Sequence, residues 1–244
     1  MYVRGVKQTS DVADDVRFAL AMTEAERFYT APLGELRPDG RRGKGKGLGW
    51  STGAFRAVDW WALDATLATK GTMYKLWLSK QASGCCGTQR MVARWDLERD
   101  GRCPDCGAVE RPSHLNVCPN PERTSLLGQM ADSIGRWLRD NYAHPEIAYW
   151  LPRYIKLRGT RPLSDMSGMS ADMKCVARSQ DLIPWKDFME GKLSKEWFSL
   201  QRSSLVCSPS RLTIADWAKR LISQILQVSH AQWIFRNVSL HDAQ

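Results

Sequence analysis

Four residues, Cys103, Cys106, His114 and Cys118, constrain this chain more than any other feature of its sequence. Their spacing, C-x2-C-x7-H-x3-C, supplies three thiolates and one imidazole, a donor set that suits the tetrahedral N/S preference of Zn²⁺. In Cys103-Pro104-Asp105-Cys106-Gly107 the two-residue gap lets both sulfurs face one ion from a tight turn. Gly107, lacking a Cβ, tolerates the positive φ that such turns need. Pro112-Ser113 then resets the chain. Ser113 is expected to cap a short helix on which His114 and Cys118, four apart, share one face. Four protein ligands close the coordination sphere, so a structural Zn²⁺ is expected rather than a catalytic one with an open position. Glu110, the nearby carboxylate that could serve as an acid or base, reads as a solvated loop residue.

The other cysteines do not suggest a disulfide framework. The chain has seven in total, its start (Met1-Tyr2-Val3-Arg4-Gly5) has no apolar signal core, and reducing compartments keep thiols free. No apolar run approaches the ~20 residues of a membrane span, so an intracellular protein with no membrane partner is expected. Lys and Arg number 35 against 26 Asp and Glu, a formal charge of +9. That balance favours a polyanionic partner, the bland alternative being a merely soluble basic surface.

Around the cluster, apolar residues recur at helical spacing. Residues 11–30 read as two helical pieces, with Val12, Val16, Ala19 and Leu20 on one face and Thr23-x-x-Glu26 as a capping box opening the second. Pro32, Gly34, Pro38 and five glycines between 40 and 49 break regular structure. Arg37, Arg41, Arg42, Lys44 and Lys46 make this stretch either a phosphate-gripping loop or a solvated linker. Asp59 should cap a helix over 60–69, and a second over 73–81 carries Met73, Leu76, Trp77 and Lys80. Cys85 and Cys86 have no second ligand pair nearby, which favours packing. A short helix over 88–96 should turn Met91, Val92 and Trp95 inward.

Beyond the cluster, Asn120-Pro121 opens a helix to about 141. Pro145 opens the next, which Pro152 should kink. The Gly-, Ser- and Pro-rich stretch 159–170 is the candidate boundary or hinge. Helices follow over 171–180 and over 184–190, closed by Gly191. Ser194 caps another to about 202, and a Thr213/Asp216 capping box opens the longest, 213–233. No alternating run is long enough for a sheet. The expected fold is mainly α with a small treble-like zinc turn in its N-terminal half, divided into 1–49, 50–120 and 121–244.

The order Trp77, Lys80, Gly84-Cys85-Cys86-Gly87, then Cys103 to Cys118 with Glu110 and His114-Leu115 between, resembles the zinc-binding region that follows the reverse transcriptase domain in many retroelements without long terminal repeats. Leu48-Gly49-Trp50-Ser51, Val58-Asp59-Trp60, residues 147–159, Gln180-Asp181-Leu182-Ile183-Pro184-Trp185 and Gln232-Trp233-Ile234-Phe235-Arg236-Asn237 resemble retroelement-derived proteins of microbial eukaryotes. The likeness covers most of 11–242. It implies a nucleic-acid-binding module that assists an element-encoded polymerase. The spacing differs from the C-x2-C-x4-H-x4-C knuckle of retroviral nucleocapsids, so that knuckle's way of binding single strands does not carry over. The polymerase signature is missing. The sole Asp-Asp pair, Asp14-Asp15, lies in a charged helical stretch, and two-metal phosphoryl transfer needs convergent carboxylates.

No nuclease or hydrolase constellation can be assembled from the remaining residues. His144, His230 and His241 are isolated, and Cys175 and Cys207 lack a local base, which suits buried inert thiols. Of eleven tryptophans, Trp77, Trp95, Trp137, Trp150, Trp217 and Trp233 fall on apolar stripes and should be core. Trp50, beside the basic loop, is the candidate for base stacking. The expected function is noncatalytic nucleic-acid binding stabilised by zinc. Phosphate contacts would come from Arg37, Arg41, Arg42, Lys44 and Lys46, with Arg90, Arg94 and Arg102 near the metal. The alternative is a protein-interaction scaffold in which the zinc is purely structural and the helix over 213–237 docks a reverse transcriptase or another protein.

Overall fold

The computed structural model describes residues 2–3, 6–7, 12–32, 47–206 and 212–242. The basic loop carrying Arg37, Arg41, Arg42, Lys44 and Lys46 lies outside the described residues, as does Cys207. The chain divides into two compact units, Met1–Arg56 and Ala57–Gln244.

In the first unit, β1 (Tyr2–Val3) and β2 (Val6–Lys7) pair antiparallel, followed by α1 (Val12–Thr30) and α2 (Thr52–Ala57). Helix α1 is continuous, not two pieces. No Gly or Pro interrupts it, and the Thr23 hydroxyl donates back to the Ala19 carbonyl at 2.9 Å instead of capping a new start. Leu48, Gly49 and Trp50 then donate their amides to the carbonyls of Phe28, Ala31 and Tyr29. These bonds satisfy acceptors that the end of α1 leaves open. They also bury Trp50, whose ring meets Tyr29 edge-on with centroids 4.8 Å apart. The candidate stacking residue is therefore core.

The second unit is helical: α3 (Trp60–Ala68), α4 (Thr72–Ala82), α5 (Gln89–Val92), α6 (Pro121–Asp140), α7 (Pro145–Leu157), α8 (Ala171–Asp181), α9 (Trp185–Phe188), α10 (Lys195–Val206) and α11 (Ile214–Asp242). Two 3-10 turns, Pro112–Asn116 and Leu163–Asp165, join them. Side-chain caps start the main helices. Asp59 accepts from Ala62 N, Asn120 from Glu122 and Arg123 N, Ser170 from Met173 N, Ser194 from Glu196 N, and Thr213 from Asp216 N. Helix α11 is the spine. Trp217, Leu221, Ile222, Ile225, Leu226 and Val228 are all buried along it, and it packs on α3, α6, α10 and the Pro112–Asn116 turn. Helices α6 and α7 pack closely where Gly135 faces Pro152; a Cβ on Gly135 would stand 3.1 Å from the Pro152 Cγ. The stretch 159–170 belongs to this unit. Leu163, Met166 and Met169 are buried in its core, and the Asp181 carboxylate accepts from the amides of Leu163 (2.7 Å) and Ser164 (2.8 Å).

Helix α5 is one turn long, shorter than the spacing implied. Residue 95 lies beyond it, where Trp95 N bonds to Val92 O at 2.9 Å, an i, i+3 step in place of the i, i+4 bond of a continuing α-helix. Trp95 is 72% exposed.

Gly191 illustrates how tightly the spine is packed. Its φ is +84°, and a Cβ there would meet Ile222, Leu63 and Leu226 atoms at 3.1–3.2 Å. Gly191→Ala should therefore cost about 2–4 kcal/mol through backbone strain and overpacking together, read as a lowered midpoint in urea unfolding.

Candidate metal centre

The site is built on a tight hairpin. Arg102 and Val109 form an antiparallel bridge, Glu110 N donates to Gly101 O at 3.0 Å, and Cys103 N to Ala108 O at 2.7 Å. Gly107 N closes the turn onto Cys103 O at 2.8 Å, and its φ of +72° explains why glycine stands there. Cys103 and Cys106 thus face one point from the hairpin. The second ligand pair differs from expectation. The chain makes a 3-10 turn that begins at Pro112, without a side-chain cap, and ends at Asn116. It carries His114 but not Cys118, which lies beyond the Val117 N to His114 O bond. The proline sets the tighter turn, and Asn120-Pro121 starts α6 too soon for a helix through Cys118.

The four donor atoms lie within 4.8 Å of one another, the one such group of His, Cys, Asp or Glu side chains among the described residues. Cys103 Sγ and Cys118 Sγ are 3.8 Å apart, and Cys106 Sγ and His114 Nε2 are 3.3 Å apart. Sulfurs at ~2.3 Å and a nitrogen at ~2.0 Å from a tetrahedral ion would stand about 3.8 Å and 3.5 Å apart, so the donors fit a metal ion with little movement. Burial pushes the Cys103 thiol up to about 12 and raises that of Cys118; burial, with Arg123 nearby, lowers His114. A neutral imidazole is ready to ligate. The buried thiols become thiolates only when a cation takes the place of their protons.

Two arginines complete the charge pattern. Arg123, 1% exposed, points Nη1 at Asp105 Oδ2 (3.2 Å) and Cys103 Sγ (3.9 Å), and donates Nη2 to Leu115 O at 2.6 Å. Arg158, at the left-handed end of α7, donates to the carbonyls of Cys118 and Asn116 and to Thr124 Oγ1. Three thiolates around a dication leave one negative charge. Asp105 offsets Arg123, and Arg158 would balance a metal-loaded cluster. Such outer partners hold ligands in place and tune the metal.

Helix α11 meets the 3-10 turn, α6 and the hairpin by one polar face. Ser229, Gln232 and Arg236, spaced by three and four, lie on consecutive turns of one side. Asn116 Nδ2 donates to Ser229 Oγ at 3.1 Å, Gln232 Nε2 to Arg123 O at 3.0 Å, and Arg236 makes a fork onto Glu110 at 2.9 and 2.6 Å. Glu110 is not solvated. It is 0% exposed, and it also accepts from Gln89 N at 2.6 Å. Sequence reasoning missed Glu110, Arg123, Arg158 and Arg236. One signal was available for the last: three polar residues interrupt the apolar stripe of a long helix at helical spacing.

The other candidate residues scatter. Arg90 and Arg94 are exposed and make no ion pair among the described residues. Arg102 is exposed, donates to Gly107 O at 2.9 Å and lies 3.8 Å from Asp100. Gly101 brings Arg90 beside it, since a Cβ on Gly101 would stand 3.3 Å from the Arg90 Cα. Cys86 is buried, its thiol pushed up to about 11 by that burial, while Cys85 is exposed; neither joins the metal group. Cys175 is exposed, against expectation, because it faces outward from α8. His144 caps α7, its Nδ1 accepting from Glu146 N at 3.2 Å, and His230 packs between the rings of Tyr74 and Trp77.

No protein-family model matches the chain, and neither does any curated protein or solved structure. No helix among the described residues is long and apolar enough to cross a membrane.

Proposed function

We propose that the chain is a noncatalytic nucleic-acid-binding protein of retroelement origin in which Cys103, Cys106, His114 and Cys118 hold a structural Zn²⁺. Three thiolates and an imidazole in a closed tetrahedron are the donor set this ion favours, and no position is left open for a substrate. The observation that carries the reading is the division of roles around the hairpin. Its buried side meets α6 and α11 through Asp105 and Glu110, while α5 and the turn after it, which back onto Gly101, keep Arg90 and Arg94 exposed and without an ion pair among the described residues. Exposed guanidinium groups with no carboxylate partner among the described residues, on a +9 chain, are suited to phosphates. The basic loop with Arg37, Arg41, Arg42, Lys44 and Lys46 would add to this charge, and Arg102 holds the hairpin that presents it. The scaffold alternative loses ground at α11, because the helix it would offer to a partner is the buried spine of the unit.

Anisotropy with labelled oligonucleotides tests the proposal. Binding should weaken steeply as salt rises, and Arg90→Ala with Arg94→Ala should flatten the log–log salt slope by about 2, roughly one per lost phosphate contact. Absence of binding at low salt would reject it.

A further inference from the structure

We propose that Trp95 is a stacking platform for an unpaired base, which makes single-stranded nucleic acid the ligand of the surface beside the metal centre. The inference rests on the nucleic-acid reading above and deepens it.

Trp95 is 72% exposed and Leu97 95% exposed, in a unit that buries Trp77, Trp150, Trp197 and Trp217. The indole of Trp95 makes no ring contact or hydrogen bond through its side chain among the described residues. Its exposure is built into the backbone. Trp95 N and Asp96 N both donate to Val92 O, at 2.9 and 3.0 Å, continuing the turn of α5. Gln89 N is anchored on buried Glu110, and Gly101 backs directly against Arg90 and Ala93. With the backbone anchored in this way, stacking has only the two side-chain torsions of the indole left to order.

The charges around it select the partner. Asp96 lies 3.5 Å from Arg99, and Asp100 lies 3.8 Å from Arg102, so those carboxylates are offset. In 88–102 this leaves Arg90 and Arg94, against Glu98 alone, without an ion pair among the described residues. A flat apolar face beside two free cations complements a polyanion that also exposes flat rings. A duplex meets only half of that description, because its bases are stacked inside and it offers the surface phosphates alone. A single strand meets both.

The test compares oligothymidylate with a duplex of equal length by anisotropy, on the full chain at low salt. Trp95→Ala should weaken single-strand binding about tenfold or more and leave duplex binding and the salt slope unchanged. Trp95→Phe should restore most of the loss, whereas Arg90→Ala with Arg94→Ala should weaken both ligands and flatten the slope. Metal content and helicity of the Trp95 variants should match the parent, since most of the side chain is exposed. If Trp95→Ala binds single strands as well as the parent while the arginine variants lose affinity, the platform is wrong and nucleic-acid binding stands. If the parent binds neither form, both proposals fall. Trp95-dependent binding to anionic lipid vesicles in place of oligonucleotides would overturn the assignment in favour of a membrane surface.

Discussion

Cys118→Ser is expected to leave the chain without its metal ion and to lower its melting temperature by about 10–20 °C, the scale of losing roughly 5 kcal/mol from a unit of this size. Cys118 is fully buried with its sulfur 3.8 Å from that of Cys103, and a serine hydroxyl there cannot replace a thiolate. The loss extends beyond coordination. The hairpin carries Glu110, and the 3-10 turn carries Leu115 and Asn116, which together engage Arg236, Arg123 and Ser229. Once the ion no longer ties Cys103 and Cys106 to His114 and Cys118, Arg158 loses the negative cluster it stands against, while Asp105 still offsets Arg123. Cys175→Ser, at an exposed thiol on α8, is the matched control and should change nothing. Circular dichroism melts with metal analysis of each variant check the result. A metal-loaded Cys118→Ser would show that the coordination is different.

Glu110→Ala is expected to destabilise the protein by about 3–5 kcal/mol, because it strands the Arg236 guanidinium in a buried position with no counter-charge. Arg236 is nearly as buried as Glu110, and the fork between them is the link between the far end of α11 and the hairpin. Replacing both with apolar residues, Glu110→Leu with Arg236→Met, should recover most of this. A buried pair contributes little net stability over a well-packed apolar one, and breaking it costs far more. The double variant still leaves Gln89 N without its acceptor, a residual cost of about 1–3 kcal/mol. Urea unfolding measures all three proteins. If the single and double variants are equally destabilised, the cost lies in lost packing rather than in an uncompensated charge.

These two cases mark where sequence reasoning reached and where it stopped. The clustering of Cys103, Cys106, His114 and Cys118 was legible because ligand chemistry depends on residue type and short spacing, and Cys103 to Cys118 spans few residues. Helix starts at Asp59, Asn120, Ser194 and Thr213 were legible for the same reason, since each cap satisfies an amide two or three residues away. Glu110 was not, because its partner Arg236 lies 126 positions along the chain, and nothing local separates a buried carboxylate from a solvated one. The two tryptophans changed places for related reasons. Trp50 sits beside a basic loop, yet Tyr29 packs on it. Trp95 has helical spacing from Met91, yet its helix stops at Val92. Thr23-x-x-Glu26 has the letters of a capping box, but a hydroxyl within an uninterrupted helix bonds back to the preceding turn. The glycines, serines and prolines of 159–170 correctly excluded a regular helix, and Leu163, Met166 and Met169 between them filled the core.

The central claim is that one Zn²⁺, held by Cys103, Cys106, His114 and Cys118, closes this fold. Native mass spectrometry of the purified chain, before and after a chelator, tests it most directly. The expected result is one zinc per chain in compact, low charge states, shifting on chelation to metal-free, higher charge states as the hairpin releases α11. A chain that stays compact without any metal would contradict it.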